Sequence, residues 1–187
     1  MIERCLWIFL LCLAVANPAA TANTSREVPI REVPIREVPI GGTLRDATLQ
    51  GLNGPSRKLS AFRGRPLIIN VWASWCGPCR EEMASLERLA WREGEQYFSI
   101  IGVSTDDYAD KARGLLKNTN ATISHFIDTG LQMENMLGAS RLPLTVLVDA
   151  DGRVLEKVYG ARQWDGVDAL RLIDVTFHKR PPALLRP

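Results

Sequence analysis

Cysteine is scarce in this 187-residue chain: there are four, and only one Cys-x-x-Cys pair, Cys76 and Cys79. Histidine is scarcer, with His125 and His178 alone, both distant in sequence from that pair. Structural zinc takes four ligands, so a single cysteine pair argues against a metal centre. No apolar run reaches the ~20 residues that span a bilayer as a helix. The longest is the stretch of twelve at 5–16. No basic run stands out either: 23 Lys and Arg and 21 Asp and Glu are mixed along the chain, for a net charge of +2. That balance argues against a phosphate-tracking surface and against nucleic acid as a partner. The hydrophobic content of 46% is enough for one domain. A domain of roughly 140 residues buries about two-thirds of its unfolded surface and folds without staples.

The first 42 residues divide in two. Residues 1–22 read as an export signal: Arg4 charges the start, offset by Glu3; residues 5–16 form the apolar core; Ala20-Thr21-Ala22 fits a small-residue cleavage site. The alternative is an uncleaved membrane anchor through residues 5–16. Lipid attachment at Cys12 is disfavoured by the bulky Leu10-Leu11 before it. In a bacterium, export puts the domain in the periplasm or on the outer face of the cytoplasmic membrane. Next, Arg26-Glu27-Val28-Pro29-Ile30 recurs at 31–35 and at 36–40. A proline every five residues removes backbone donors and favours extended, polyproline-like chain. Residues 23–42 are therefore expected to be a semi-rigid spacer, and residues 43–177 the domain.

Within the domain, strands and helices alternate. Residues 44–49 and 57–59 flank the turn signal Asn53-Gly54 and predict an added N-terminal β-hairpin. Residues 67–72 are apolar except for Asn70, the pattern of a strand buried on both faces. The spacing of Met83, Leu86, Leu89 and Ala90 predicts an amphipathic helix over 81–91. Further strands are expected at 98–104, at 126–127 as a short edge, and at 144–148 with 154–159 as a hairpin. Helices are expected at 110–116, capped by Asp107 or Asp110, at 131–137 ended by Gly138, and at 165–177. The tail at 178–187, with three prolines, is expected to fray. The pattern predicts an α/β fold, a central mixed β-sheet flanked by helices.

Trp75-Cys76-Gly77-Pro78-Cys79 carries the chemistry. Two cysteines three positions apart close a tiny loop and constrain the unfolded chain little, so reactivity explains them better than stapling. Disulfide exchange needs a thiolate, and a helix N-terminus lowers a thiol's pKa from about 8.5 toward roughly 3.5–7.5. Cys76 precedes the first helical turn, where unpaired N–H groups and the helix dipole favour negative charge. Pro78 suits that first turn. Cys79, one turn on, can reach back. Cys76 is thus the candidate nucleophile and Cys79 the resolver of a mixed disulfide.

The run from Val71 to Cys79 resembles the active-site segment of thioredoxins, and its continuation through Arg80-Glu81-Glu82-Met83 resembles exported thiol–disulfide oxidoreductases of the TlpA and ResA type. The resemblance spans residues 41–177 and implies a thioredoxin-like fold without a cofactor. It also implies a cis proline facing the cysteines, matched here by Leu142-Pro143-Leu144-Thr145, with the backbone of Leu142 exposed to an incoming peptide. Trp75, Gly77, Pro78, Leu142 and Pro143 are then the candidate substrate-binding residues, with Trp75 shielding the thiolate and Trp72 in the core. Thioredoxins carry a buried aspartate where this chain has Asn70, so proton transfer falls to another group. Glu82 matches a glutamate near the active site of the ResA type. A part-buried carboxylate there would have a raised pKa and could take the proton of Cys79; the alternative is a solvated first-turn residue. The family commonly has proline where this chain has Ala84.

The resemblance implies protein substrates with disulfides, a membrane thiol–disulfide electron donor, and a task such as cytochrome c maturation. Three other activities compete. A peroxiredoxin-type peroxidase would need Pro-x-x-x-Thr-x-x-Cys, and residues 69–74 hold neither proline nor threonine. A copper chaperone of related fold would use Cys-x-x-x-Cys, one residue longer. A disulfide-forming oxidase differs only in reduction potential, and Gly77-Pro78 matches reducing thioredoxins.

Overall fold

The computed structural model describes residues 36–94 and 97–178. Its organising element is strand β3 (Leu67–Trp72), buried at every residue. A strand without an exposed face needs neighbours on both edges and cover on both sides. β4 (Ser99–Ser104) pairs with it in parallel and β6 (Leu144–Val148) antiparallel. β5 (Ser124–Ile127) joins β4 in parallel, and β7 (Val154–Tyr159) joins β6 antiparallel. A short hairpin, β1 (Thr48–Gly51) with β2 (Arg57–Lys58), lies beyond β5, giving a seven-stranded order β2-β1-β5-β4-β3-β6-β7. β5 is therefore not an edge strand as expected, because β1 pairs with it through Gln50 and Gly51.

Alternation along β3 separates two cores. Ile68 faces α1 (Gly77–Leu89) and α4 (Val167–His178), packing with Leu86, Leu89, Trp164 and Ile173. Trp72, on the same face, packs with Cys79 and Met83 of α1 and with Ala112 and Leu116 of α2 (Ala109–Asn118). Leu67, Ile69 and Val71 face the other way, onto Met133, Met136 and Leu137 of α3 (Gln132–Leu137).

Several boundaries move for identifiable reasons. α1 starts at Gly77 rather than at 81, because Cys76 caps it and Pro78 occupies its first turn. Past Leu89 it continues as a π-helical turn, Ala90–Gly94. The N-cap of α2 is Tyr108, with no side-chain cap bond, so neither Asp107 nor Asp110 caps it; Asp110 sits in the first turn, where its charge suits the helix dipole. α4 begins at Val167 rather than 165, since Asp165 is held by Arg88 at 2.6 Å.

The third repeat copy corrects the expected spacer at 23–42: residues 36–42 belong to the folded part. Val38 is 4% exposed within the core beside α3, and its N–H donates to Met136 O at 2.8 Å. Glu37 pairs with Lys157 at 2.6 Å. Gly138, the left-handed cap of α3 at φ 75°, lies where any Cβ would strike the Glu37 carboxylate. The first two copies, the leader at 1–22 and the expected tail at 178–187 lie outside the described residues, except His178, which ends α4. Val38→Ala is expected to cost about 2 kcal/mol, as the lost methyls and the cavity they leave both weaken this core. A urea-unfolding midpoint equal to the parent's would show that residue 38 lies outside it.

Candidate active site

β3 delivers the chain to the site. Beyond Trp72, the Thr105 N–H donates to Trp72 O (2.9 Å) and the Cys76 N–H to Ala73 O (3.1 Å). Buried Asp106 braces the turn: it accepts from Ser74 N (2.8 Å), Ser74 Oγ (2.6 Å) and Ser104 Oγ (2.7 Å). Cys76 follows as the N-cap of α1, its Sγ accepting from the Cys79 N–H at 3.2 Å. A sulfur in that position receives a donor that every helix start leaves unpaired, together with the positive end of the helix dipole. Cys76 and Cys79 form a disulfide, with 5.3 Å between their Cα atoms. Cys79 is fully buried, whereas Cys76 reaches the surface with 6% exposure. That asymmetry suits an attacking Cys76 and a resolving Cys79.

Above the disulfide lies a groove of about 550 Å³, lined by Trp75, Cys76, Gly77, Pro78 and Leu142 and, on its polar side, by Asp107 and Glu134. The Leu142–Pro143 bond is cis. Leu142 is half-buried in the groove, and Pro143, next to it in the chain, is buried and not part of the groove lining. Trp75 stands 71% exposed, a wall of the groove open to solvent. Trp72 is fully buried and packs with both cysteines, as expected of a core residue.

Glu82 is buried, at 2% exposure, so it is not a solvated first-turn residue. It lies one turn past Cys79 on the buried face of α1. Its Oε1 accepts from Asn70 Nδ2 at 2.7 Å; its Oε2 accepts from Trp164 Nε1 at 3.0 Å and from the Arg162 N–H at 3.1 Å. Burial pushes its pKa above the ordinary carboxylate value, with the donors from Trp164, Asn70 and Arg162 pulling the other way. Ser85 and Arg88, also on α1, hold the same loop: the Trp164 N–H donates to Ser85 Oγ at 3.0 Å, and Arg88 pairs with Asp165. The Arg88 guanidinium keeps the Asp165 carboxyl low, at about 2.

A family model described as Redoxin matches residues 39–171. The chain belongs to the Redoxin family. Among curated relatives, the thiol-disulfide oxidoreductase ResA of Bacillus cereus is 28% identical over 109 residues, covering 58% of this chain and 63% of its own. The ResA of Geobacillus thermodenitrificans is 29% identical over 120 residues, covering 64% of this chain and 69% of its own. A crystal structure from Chlorobium tepidum, described as a thiol:disulfide interchange protein DsbE, aligns with a TM-score of 0.69 at 26% identity, covering 75% of this chain and 99% of that one. StoA of Bacillus subtilis, at 15% identity and a TM-score of 0.60, shares the fold. The redoxin thus has the thioredoxin-like architecture expected of it.

Sequence reasoning missed Trp164, Asp106 and Glu134, and it named Asp107 only as a helix cap and Thr145 only within the cis-proline element. A polar residue within an apolar strand was the available signal for Asn70 and Thr145; the loop that carries Trp164 offered none. His125, although distant in sequence from the cysteines, packs edge-on against Trp72 with ring centroids 5.4 Å apart. Burial pulls its pKa down and favours the neutral ring, against the pull of Glu87, whose Oε1 is 4.0 Å from Nε2. Gly102 is required beneath it, since a Cβ there would strike the imidazole.

Trp164→Phe tests the carboxylate's support. It keeps a large ring but removes the Nε1–H that serves Glu82. The raised pKa of Glu82 means that the folded state holds its proton more tightly than the unfolded chain does. The carboxyl's penalty therefore grows as pH rises from the unfolded value toward the folded one. Losing a donor to the charged form raises that folded value further. The variant is expected to lose about 1–3 kcal/mol, with the larger loss at alkaline pH. Denaturant unfolding across pH checks this; a pH-independent loss would mean that Trp164 acts by packing alone.

Proposed function

We propose that this redoxin is an exported thiol–disulfide oxidoreductase that reduces disulfides of protein substrates outside the cytosol. One observation carries the reading: the Cys76–Cys79 disulfide caps the N-terminus of α1 at the floor of an open groove, with only Cys76 reaching the surface. The ResA relatives, matched over 58–64% of this chain, support it.

In the reduced enzyme the Cys76 thiolate attacks one sulfur of a substrate disulfide. A mixed disulfide forms and the other substrate sulfur leaves as thiolate. Cys79 then attacks the Cys76 sulfur and releases the second substrate thiol. The substrate gains two electrons and the Cys76–Cys79 pair loses them. Glu82 takes the proton from Cys79 as that thiol becomes the nucleophile; the shared face of α1 and the raised pKa support this. Trp75, Gly77 and Pro78 form one wall of the substrate groove, and Leu142, positioned by Pro143, offers its backbone edge to an extended peptide.

A membrane-held thiol–disulfide donor restores the dithiol, and cytochrome c maturation is the physiological task proposed from the resemblance to the TlpA and ResA type. Export rests on residues 1–22, with residues 5–16 as cleaved signal core or retained anchor. No helix among the described residues is long and apolar enough to cross a membrane.

Insulin reduction with a dithiol donor tests the activity. Cys76→Ser should abolish it, while Cys79→Ser should accumulate mixed disulfides through Cys76, seen as mobility-shifted species without reductant. Trapping by Cys76→Ser instead would reverse the two roles. Alkylation of the reduced enzyme should titrate Cys76 well below the usual thiol value of about 8.5. A reduction potential near thioredoxin's, about −270 mV, supports a reductase, whereas one near about −120 mV would make it an oxidase.

A further inference from the structure

Every group that hydrogen-bonds the Glu82 carboxyl is a donor: Asn70 Nδ2, the Arg162 N–H and Trp164 Nε1. That set serves a carboxylate and offers nothing to the O–H of a carboxylic acid. Two of the donors are fixed, because a backbone N–H and an indole N–H can only donate. Asn70 is different. Turning its amide by half a revolution exchanges Nδ2 for Oδ1 at almost the same place. Its second contact can follow, since Thr145 Oγ1, 3.0 Å from Nδ2, is a hydroxyl that accepts or donates by rotating. Asn70 and Thr145 are each 1% exposed, so these two side chains, rather than bulk solvent, answer a proton on the Oε1 side.

We propose that Asn70 is a positioning residue whose amide reverses each time Glu82 gains or loses its proton. With Glu82 ionised, Nδ2 donates to Glu82 Oε1 and to Thr145 Oγ1. With Glu82 protonated, Asn70 Oδ1 accepts from Glu82 Oε1–H and from Thr145 Oγ1–H. The inference rests on the proposed role of Glu82 as acceptor of the Cys79 proton. In that step the S–H bond of Cys79 breaks and an O–H bond forms on Glu82; the turn of the amide moves no proton and no electron. Both states of the carboxyl keep partners, which matters because a buried polar group left without one is costly.

The surroundings add no competing charge. Asn70 and Thr145, from β3 and β6, are neutral. The loop after β7 presents the Arg162 backbone and the Trp164 indole, while Asp165 is engaged by Arg88. On α1 the titrating neighbour is Cys79, one turn away. An ionised aspartate at position 70 would be acceptor only and would set a second negative charge against Glu82. A leucine would leave Oε1 unpaired. Asparagine serves both states without a charge or a proton of its own.

The test uses the full-length chain, oxidised so that Cys79 does not titrate, labelled with carbon-13 and nitrogen-15. Glu82 Cδ and the Asn70 side-chain amide are followed by NMR as a function of pH. The expected result is one shared midpoint, with the cross-relaxation between the Asn70 Nδ2 protons and Thr145 lost on the acid side. Glu82→Gln supplies a second readout: its NH₂ can take the place of Oε1–H, so Asn70 should be reversed at every pH. An Asn70 amide that keeps its Thr145 contact while Glu82 Cδ titrates overturns the reversal and leaves the role of Glu82 standing. A Glu82 Cδ that does not titrate overturns both.

Discussion

The turn from β3 into α1 forces together two conflicting requirements. β3 is buried at every residue, so the chain turns out of it from the interior. A reactive thiolate needs stabilisation that burial denies it. The helix start resolves the conflict: Cys76, at the cap, receives the Cys79 N–H and the dipole of α1 while still touching solvent. Cys79 lies one turn deeper, in the core with Trp72 and Met83. The proposed division of labour between two chemically identical side chains rests on a depth difference of one helical turn. Asp106, tied to Ser74 and Ser104, keeps that turn in place without entering the chemistry.

The second ionisable group at this junction is governed by the same conflict. Moving a carboxylate out of water costs several kcal/mol after relaxation. Hydrogen bonds to a charged group return about 1.5–3 kcal/mol each. Three donors bring Glu82 near balance, and burial remains the larger effect, as its raised pKa indicates. A carboxyl so poised changes protonation at modest cost, which a fully compensated carboxylate could not do. The loop at 160–165 matters for this reason. It supplies two of the three donors and is itself tied to α1 by Ser85 and Arg88, so helix and loop hold the carboxyl from opposite sides.

The central strand, the cysteine pair with its helix and the β6–β7 hairpin were legible in the sequence, because each rests on local chemistry: an unbroken apolar run, a cap and a turn. What stayed hidden was set by distant partners. The pentapeptide at 36–40 read as spacer, yet Val38 is core, placed there by its bond to Met136 and by the Glu37–Lys157 pair, partners about a hundred residues away. Residues 126–127 read as a short edge strand because nothing in their own sequence announces that β1 covers β5. Trp164 is an ordinary buried tryptophan until its indole meets Glu82.

One polar row crosses the sheet under α1. His125, Gly102, Asn70 and Thr145 are in register on β5, β4, β3 and β6, so their side chains share a face. Two carboxylates of α1 meet it: Glu82 at Asn70, and Glu87 4.0 Å from His125. Gly102 separates the two contacts and, by lacking a side chain, makes room for the imidazole. An all-apolar row would pack at least as firmly, since a buried polar contact seldom stabilises more than the hydrophobic packing it replaces. The Asn70–Glu82 hydrogen bond adds a directional constraint on how far α1 slides along the sheet, because apolar surfaces match in several registers and hydrogen-bonded ones in few. A shift of one residue would carry the Cys76 cap away from the groove. On this reading, the polar row trades some stability for the position of the sulfurs.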